Sequence, residues 1–208
     1  AQLGIYGAVY KLSILMSLFI QAFRYAGEPF FFAYARQADA RQLYALVLKW
    51  FLIFCVFIFL LVSLYLDIFQ YFVGAAYREA LWVVPILLLA NLLLGIYVNL
   101  SIWYKLTDRT GLGAWVAIAG ALVTVAALLL LVPKYGYAGA AWAHLICYSF
   151  MVIVSWAMGR RYYPVPYDLK RILGYLLLGL GLYAAGRGLA ALGWPSLVAG
   201  TLCLAVYL

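Results

Sequence analysis

The chain has 208 residues, 70% of them hydrophobic and 10% charged, with a formal net charge of +8. A charged fraction so far below the usual quarter excludes a water-soluble domain. The positive residues sit in short segments between apolar runs, where insertion topology accounts for them and nucleic acid does not. Uncharged runs of roughly 20 residues, enough to cross the hydrocarbon core, recur throughout. The expected fold class is therefore all-α, a polytopic transmembrane helix bundle.

The first span is expected over about Gly4 to Ala26. At about 100° per residue, Tyr6, Tyr10, Ser13, Ser17, Gln21, Arg24 and Glu28 fall within roughly 80° of one another, a polar stripe on an otherwise aliphatic and aromatic helix. Unpaired polar groups facing lipid cost several kcal/mol each, so the stripe is expected to face a protein partner or a wet cavity. Two uses are open to it. Its residues can hydrogen-bond neighbouring helices, each contact worth about 1 kcal/mol or less, or they can wall a transport path. Arg24 favours the second use, because a cation at the end of a cavity-facing stripe suits a phosphate. Glu28, one turn on, pairs with Arg24 and orients it, or only neutralises it. Lys11 lies about 100° from the stripe's centre, placed either to snorkel to the headgroups or to touch a phosphate in the cavity.

Pro29 is expected to bend or restart the helix through Phe30, Phe31 and Phe32 at an interface. A loop with Arg36 and Arg41 follows, then a second span over about Tyr44 to Leu66, with Lys49 near its start. Asp67 to Glu79 reads as an interfacial connection carrying Tyr71, Phe72 and Tyr77. The third span, about Ala80 to Tyr104, contains Pro85 and a row of Asn91, Gly95 and Asn99 at i, i+4, i+8, a second candidate for an inward face. Asp108 and Arg109 occupy the next turn as a surface ion pair, a helix cap, or a gate contact to another lobe.

Gly113, Ala117, Ala121 and Thr124 mark one side of the fourth span, about Leu112 to Val132, and Gly139, Ala140, Ala143 and Cys147 one side of the fifth, about Tyr137 to Met158. Small residues at that spacing let helices approach closely, so the two spans are expected to form an antiparallel hairpin across the tight connection Pro133 to Gly136. His144, the single histidine, suits proton coupling or neutral packing. Residues 1–158 thus hold five spans, 159–171 a basic loop with Arg160, Arg161, Lys170 and Arg171, and 172–208 two further spans, a sixth over about Ile172 to Gly186 and a last one that begins near Pro195 and is cut short. With no initiator Met and no leader-like n-region, the chain is expected to be part of a longer polypeptide.

Alternate placement of the loops puts Arg36, Arg41, Lys49, Lys105, Arg109, Arg160, Arg161, Lys170 and Arg171 on one side, against Arg78, Lys134 and Arg187 on the other. Nine against three assigns the first side to the cytoplasm. The basic loop is also suited to anionic membrane lipids. The sequence contains no G-x-x-x-x-G-K-[ST], no Gly-rich nucleotide loop and no H-E-x-x-H, and it has six acidic residues in all. Cys55, Cys147 and Cys203 lie in apolar runs without metal-ligand or CxxC spacing. The expectation is a protein that is not an enzyme and carries no metal or cofactor, with a coupling ion, Na+ or H+, left open.

The stretches Tyr6 to Lys11 (YGAVYK), Phe23 to Phe30 (FRYAGEPF), Trp103 to Arg109 (WYKLTDR), Tyr135 to Trp142 (YGYAGAAW) and Tyr162 to Tyr167 (YYPVPY) resemble, in order and spacing, the C-terminal lobe of bacterial oligosaccharide flippases, in the polysaccharide-biosynthesis branch of the MOP exporter superfamily. The likeness covers nearly the whole chain. It implies a two-lobe transporter of the bacterial inner membrane, with an N-terminal lobe of the same polypeptide opposite the stripe. It also implies a cationic cavity that passes undecaprenyl-diphosphate-linked oligosaccharide, for surface polysaccharide or lipopolysaccharide, by alternating access. On that basis Arg24 and Lys11 are expected to attract the diphosphate. Gln21, Ser13, Ser17, Asn91 and Asn99 are expected to bond sugar hydroxyls, with Glu28, Asp108 and Arg109 supporting or gating. The alternatives are a multidrug or cation antiporter of the same superfamily, a membrane enzyme of glycan assembly, and a purely structural subunit.

Overall fold

The computed structural model describes residues 2–207. Their helices are α1 (Gln2–Tyr34), α2 (Ala40–Leu64), α3 (Leu66–Phe69), α4 (Val84–Leu100), α5 (Ile102–Leu106), α6 (Thr110–Tyr135), α7 (Tyr137–Tyr162), α8 (Leu169–Ala191) and α9 (Ser196–Tyr207). Six helical segments are long and apolar enough to cross a membrane, the third of them running from Ala75 through α4 and α5 to Leu106. The chain is an all-α, multi-pass membrane protein.

Burial against protein separates the central spans from the peripheral ones. The third span and α2 are 56% and 50% buried over their most apolar windows, against 11% for α6 and for α8. α2 and α4 accordingly form the spine; α1 packs across both, α7 lies on α4, and α8 and α9 lie on α2. α6 packs chiefly on α7 and leaves Trp115, Leu122 and Leu129 exposed. Lipid tails are as apolar as those side chains, so exposure there costs nothing.

Helix ends depart from the sequence expectation at Pro29, Pro133 and Gly186. α1 passes through Pro29 without interruption to Tyr34. The proline removes one backbone donor, but the carbonyl it orphans belongs to Tyr25, a residue 78% exposed. The extension is held by α2. Tyr44 Oη donates to the Phe31 carbonyl at 2.7 Å, and the two rings meet edge to face at 5.0 Å. Tyr44→Phe keeps the ring contact and deletes the bond, so it is expected to cost about 1 kcal/mol, read as a lowered thermal midpoint of the purified protein with membrane insertion unchanged.

The sixth span continues past Gly186 to Ala191. Its glycines are packing positions: a Cβ on Gly179 would fall 2.6 Å from Val56 Cγ1, and one on Gly186 2.5 Å from Leu64 Cδ2, so their absence lets α8 lie close on α2. α6 likewise runs through Pro133 to Tyr135, and the turn into α7 is made by Gly136 alone, at φ 57° and ψ −132°. A Cβ is poorly tolerated there. The α6 face towards α7 carries Val116, Gly120 and Ala127, with Gly120 under the Met151 sulfur. Ala117 and Ala121, expected in that seam, are exposed.

Candidate functional site

The centre of the stripe lies about 95° from the centre of the buried arc of α1, at 100° per residue, where Val9, Leu12, Met16 and Ile20 are buried. It therefore runs along the edge of the α1 packing face. Its members grade from sealed to open: Ser13 is fully buried, Ser17 half-buried, Gln21 exposed, and the Arg24 side chain is 47% exposed.

At one end stands a three-membered charge cluster. Glu28 Oε1 accepts from Arg24 Nε at 3.1 Å and from Lys105 Nζ at 2.7 Å. Two cations around one carboxylate leave the cluster with a single net positive charge and with unused donors. A guanidinium carries five N–H groups and an ammonium three, and the carboxylate engages one of each. Such a group suits an oxyanion, which can accept from the free fork of Arg24 while Glu28 fixes its orientation. Behind the cluster is a cavity of about 10 Å³ lined by Phe23, Phe31, Val98, Asn99 and Ser101, among others, at the limit of what holds one water. The cluster is open on the exposed flank of α1, where the Arg24 side chain meets the surroundings.

At the other end, Tyr6 stacks on Tyr10 with centroids 5.8 Å apart and on His144 of α7 at 6.2 Å. His144 Nδ1 lies 2.9 Å from the Ala140 carbonyl of its own helix and 3.4 Å from Tyr6 Oη. A carbonyl only accepts, so Nδ1 carries a proton and donates it to Ala140. The histidine is tied to the stripe at its aromatic end.

Three candidates are corrected by packing. Ser13, Asn91 and Asn99 are 0%, 3% and 4% exposed, because α4 seats its small polar row against α1. Asn91 Nδ2 donates to the Ser13 carbonyl at 3.4 Å, Asn99 Nδ2 to Gly95 of its own helix at 3.1 Å, and Ser13 Oγ to the Tyr10 carbonyl at 2.7 Å. Only the Asn91 bond crosses between helices; all three side chains are sealed in the α1–α4 seam and present no surface to a sugar. Asn99 Oδ1 is buried with no hydrogen-bond partner, beside the small cavity.

Lys11 is exposed on the face of α1 turned away from the packed bundle, apart from the cluster that binds Arg24. Asp108 and Arg109 form no ion pair with each other among the described residues, and no side chain caps α6. Asp108 takes a left-handed φ of 54° to close the turn, and Arg109 lies over the Tyr162 ring, 4.4 Å from its centroid. That contact pins the α5–α6 turn to the end of α7.

Lys105, which the sequence assigns only to loop charge, joins the candidate site through Glu28. The row Asn91, Gly95, Asn99 points along the same span, but α4 ends at Leu100 and α5 begins at Ile102. Ser101 between them keeps a right-handed helical backbone at φ −69° and ψ −12°, and it is the packing of α5 against α1, which no periodicity shows, that brings Lys105 to Glu28. Among the described residues, no three His, Cys, Asp or Glu side chains gather as a metal site, and all three cysteines are buried. Set against known protein families, curated proteins and solved structures, the chain matches none of them.

Proposed function

We propose that the chain is one lobe of a flippase that moves undecaprenyl-diphosphate-linked oligosaccharide across a bacterial inner membrane by alternating access, with a second lobe of the same polypeptide closing the path opposite α1. The observation that carries this reading is the Arg24–Glu28–Lys105 cluster, in line with the exposed Gln21 and half-buried Ser17 along one edge of a membrane-spanning helix. A net-positive cluster with spare donors lowers the cost of bringing a diphosphate into a low-dielectric layer. Gln21 and Ser17 offer hydrogen bonds to the sugars that follow it. Translocation then needs movement of two lobes and no bond chemistry. The same positive charge disfavours a cationic drug, which ranks the antiporter reading second.

A wet path beside α1 is tested by thiol accessibility. The native cysteines are buried, so background labelling is low. In inside-out membrane vesicles, which expose the cytoplasmic end of α1, Gln21→Cys is expected to react with a membrane-impermeant maleimide, whereas Leu122→Cys, on the lipid-facing side of α6 and 67% exposed, is expected to stay unlabelled. Equal reactivity at the two positions removes the path. Loss and restoration of surface glycan in a deletion strain tests the cargo.

A further inference from the structure

On a different face from the stripe, a crevice of about 330 Å³ opens between α7 and α8, with its floor on α4 and α2. Leu93, Ile96, Val152, Trp156, Ile172 and Leu176 line it. The Ser149 hydroxyl on the α7 wall already donates to the Leu145 carbonyl at 2.7 Å, so that wall presents hydrocarbon. Ile153 and Leu173 at its mouth are 62% and 58% exposed, which opens it sideways to the bilayer. A crevice lined by aliphatic side chains does not hold water, and one left empty forfeits the dispersion contacts of its lining. In a membrane its filling is a hydrocarbon chain.

The charges at one end specify what carries that chain. The last turn of α7 carries Arg160 and Arg161 and the first turn of α8 Lys170 and Arg171, against the single acid Asp168 between them, and Asp168 is taken by Arg171 at 2.8 Å. Arg160 stands one turn beyond Trp156, its guanidinium 5.0 Å from that ring's centroid, and Lys170 adjoins Leu169, which lines the mouth. Neither forms an ion pair among the described residues. Cations at the headgroup end of an interhelical cleft select anionic lipid.

We propose that the α7–α8 crevice binds one anionic phospholipid, its acyl chain in the cleft and its headgroup at the end that carries Arg160 and Lys170. The bound lipid wedges the C-terminal helices against the α2–α4 spine and so acts on how the lobe is held together, independently of what passes along α1.

The test is native mass spectrometry of the purified protein titrated with phosphatidylglycerol, phosphatidylcholine of the same chains, and undecaprenyl phosphate. The expected result is one tightly retained phosphatidylglycerol at about tenfold preference over phosphatidylcholine, an effect within what two interfacial cations supply. Arg160→Gln with Lys170→Gln is expected to bring the two phospholipids to parity, and Val152→Trp, which fills the cleft from α7, to lower retention of both. Leu173→Trp fills it from the exposed side and serves if Val152→Trp fails to fold. Equal retention of the two phospholipids by the unaltered protein, stronger retention of undecaprenyl phosphate, or cleft-filling variants that bind as before would each overturn the proposal.

Discussion

Arg24→Ala is expected to abolish glycan export while the protein still inserts at its normal level. Removing the guanidinium leaves Glu28 paired with Lys105 at 2.7 Å, a neutral unit, so the cluster loses both its net charge and its two-pronged donor. Hydrogen bonds to charged groups are worth about 1.5–3 kcal/mol each, so losing two of them predicts a drop in translocation of at least about a hundredfold. Lys105→Ala leaves the Arg24–Glu28 pair, also neutral, and is expected to fall nearly as far. Arg24→Lys restores charge without the planar fork and is expected to recover only part of the rate. Glu28→Gln acts in the opposite sense: it releases both cations, which predicts tighter binding of the diphosphate and slower release, hence lower turnover at a lower half-saturating concentration. Surface polysaccharide in a deletion strain, normalised to membrane protein by immunoblot, reads all four variants. Wild-type polysaccharide from Arg24→Ala removes the central role given to this residue.

What could be read from the sequence divides along a physical line. The stripe was legible because helical periodicity is a property of one segment, and Tyr6 through Glu28 share an edge whatever surrounds them. Whether a given member is sealed or open is set by the neighbour. Ser13 and Gln21 look alike in sequence, yet α4 covers the first and leaves the second free. The small-residue faces predicted that the fourth and fifth spans pair, as they do, but Gly120 and not Ala121 lies in the seam, because a one-residue rotation of α6 costs nothing on a lipid-facing surface. Pro29 failed as a boundary for a similar reason: Tyr44, on another helix, holds the backbone beyond it. Lys105 was beyond reach, since its approach to Glu28 depends on how α5 packs against α1, a relation between two segments far apart in the chain.

Gly139→Val is expected to be the most damaging single substitution outside the charge cluster. A Cβ at Gly139 would fall on the backbone carbonyl of Leu131 across the α6–α7 hairpin, and a carbonyl inside a helix cannot swing aside as a side-chain tip can. Overpacking commonly costs about 1–3 kcal/mol where side chains give way; against backbone the helices themselves must part. Valine adds two methyl groups beyond that Cβ, so Gly139→Ala is expected to be milder and Gly139→Val to lower the thermal midpoint sharply or abolish the fold. Gly181→Ala is the matched control, because a Cβ there meets nothing within 4 Å, and alanine favours the helix over glycine by about 1 kcal/mol. Since α7 also carries His144, prying it from α6 shifts the ring that stacks on Tyr6, and the damage extends to the aromatic end of the stripe. A thermal midpoint for Gly139→Val equal to that of Gly181→Ala would show that α6 and α7 are not in backbone contact, and the close hairpin would have to be abandoned.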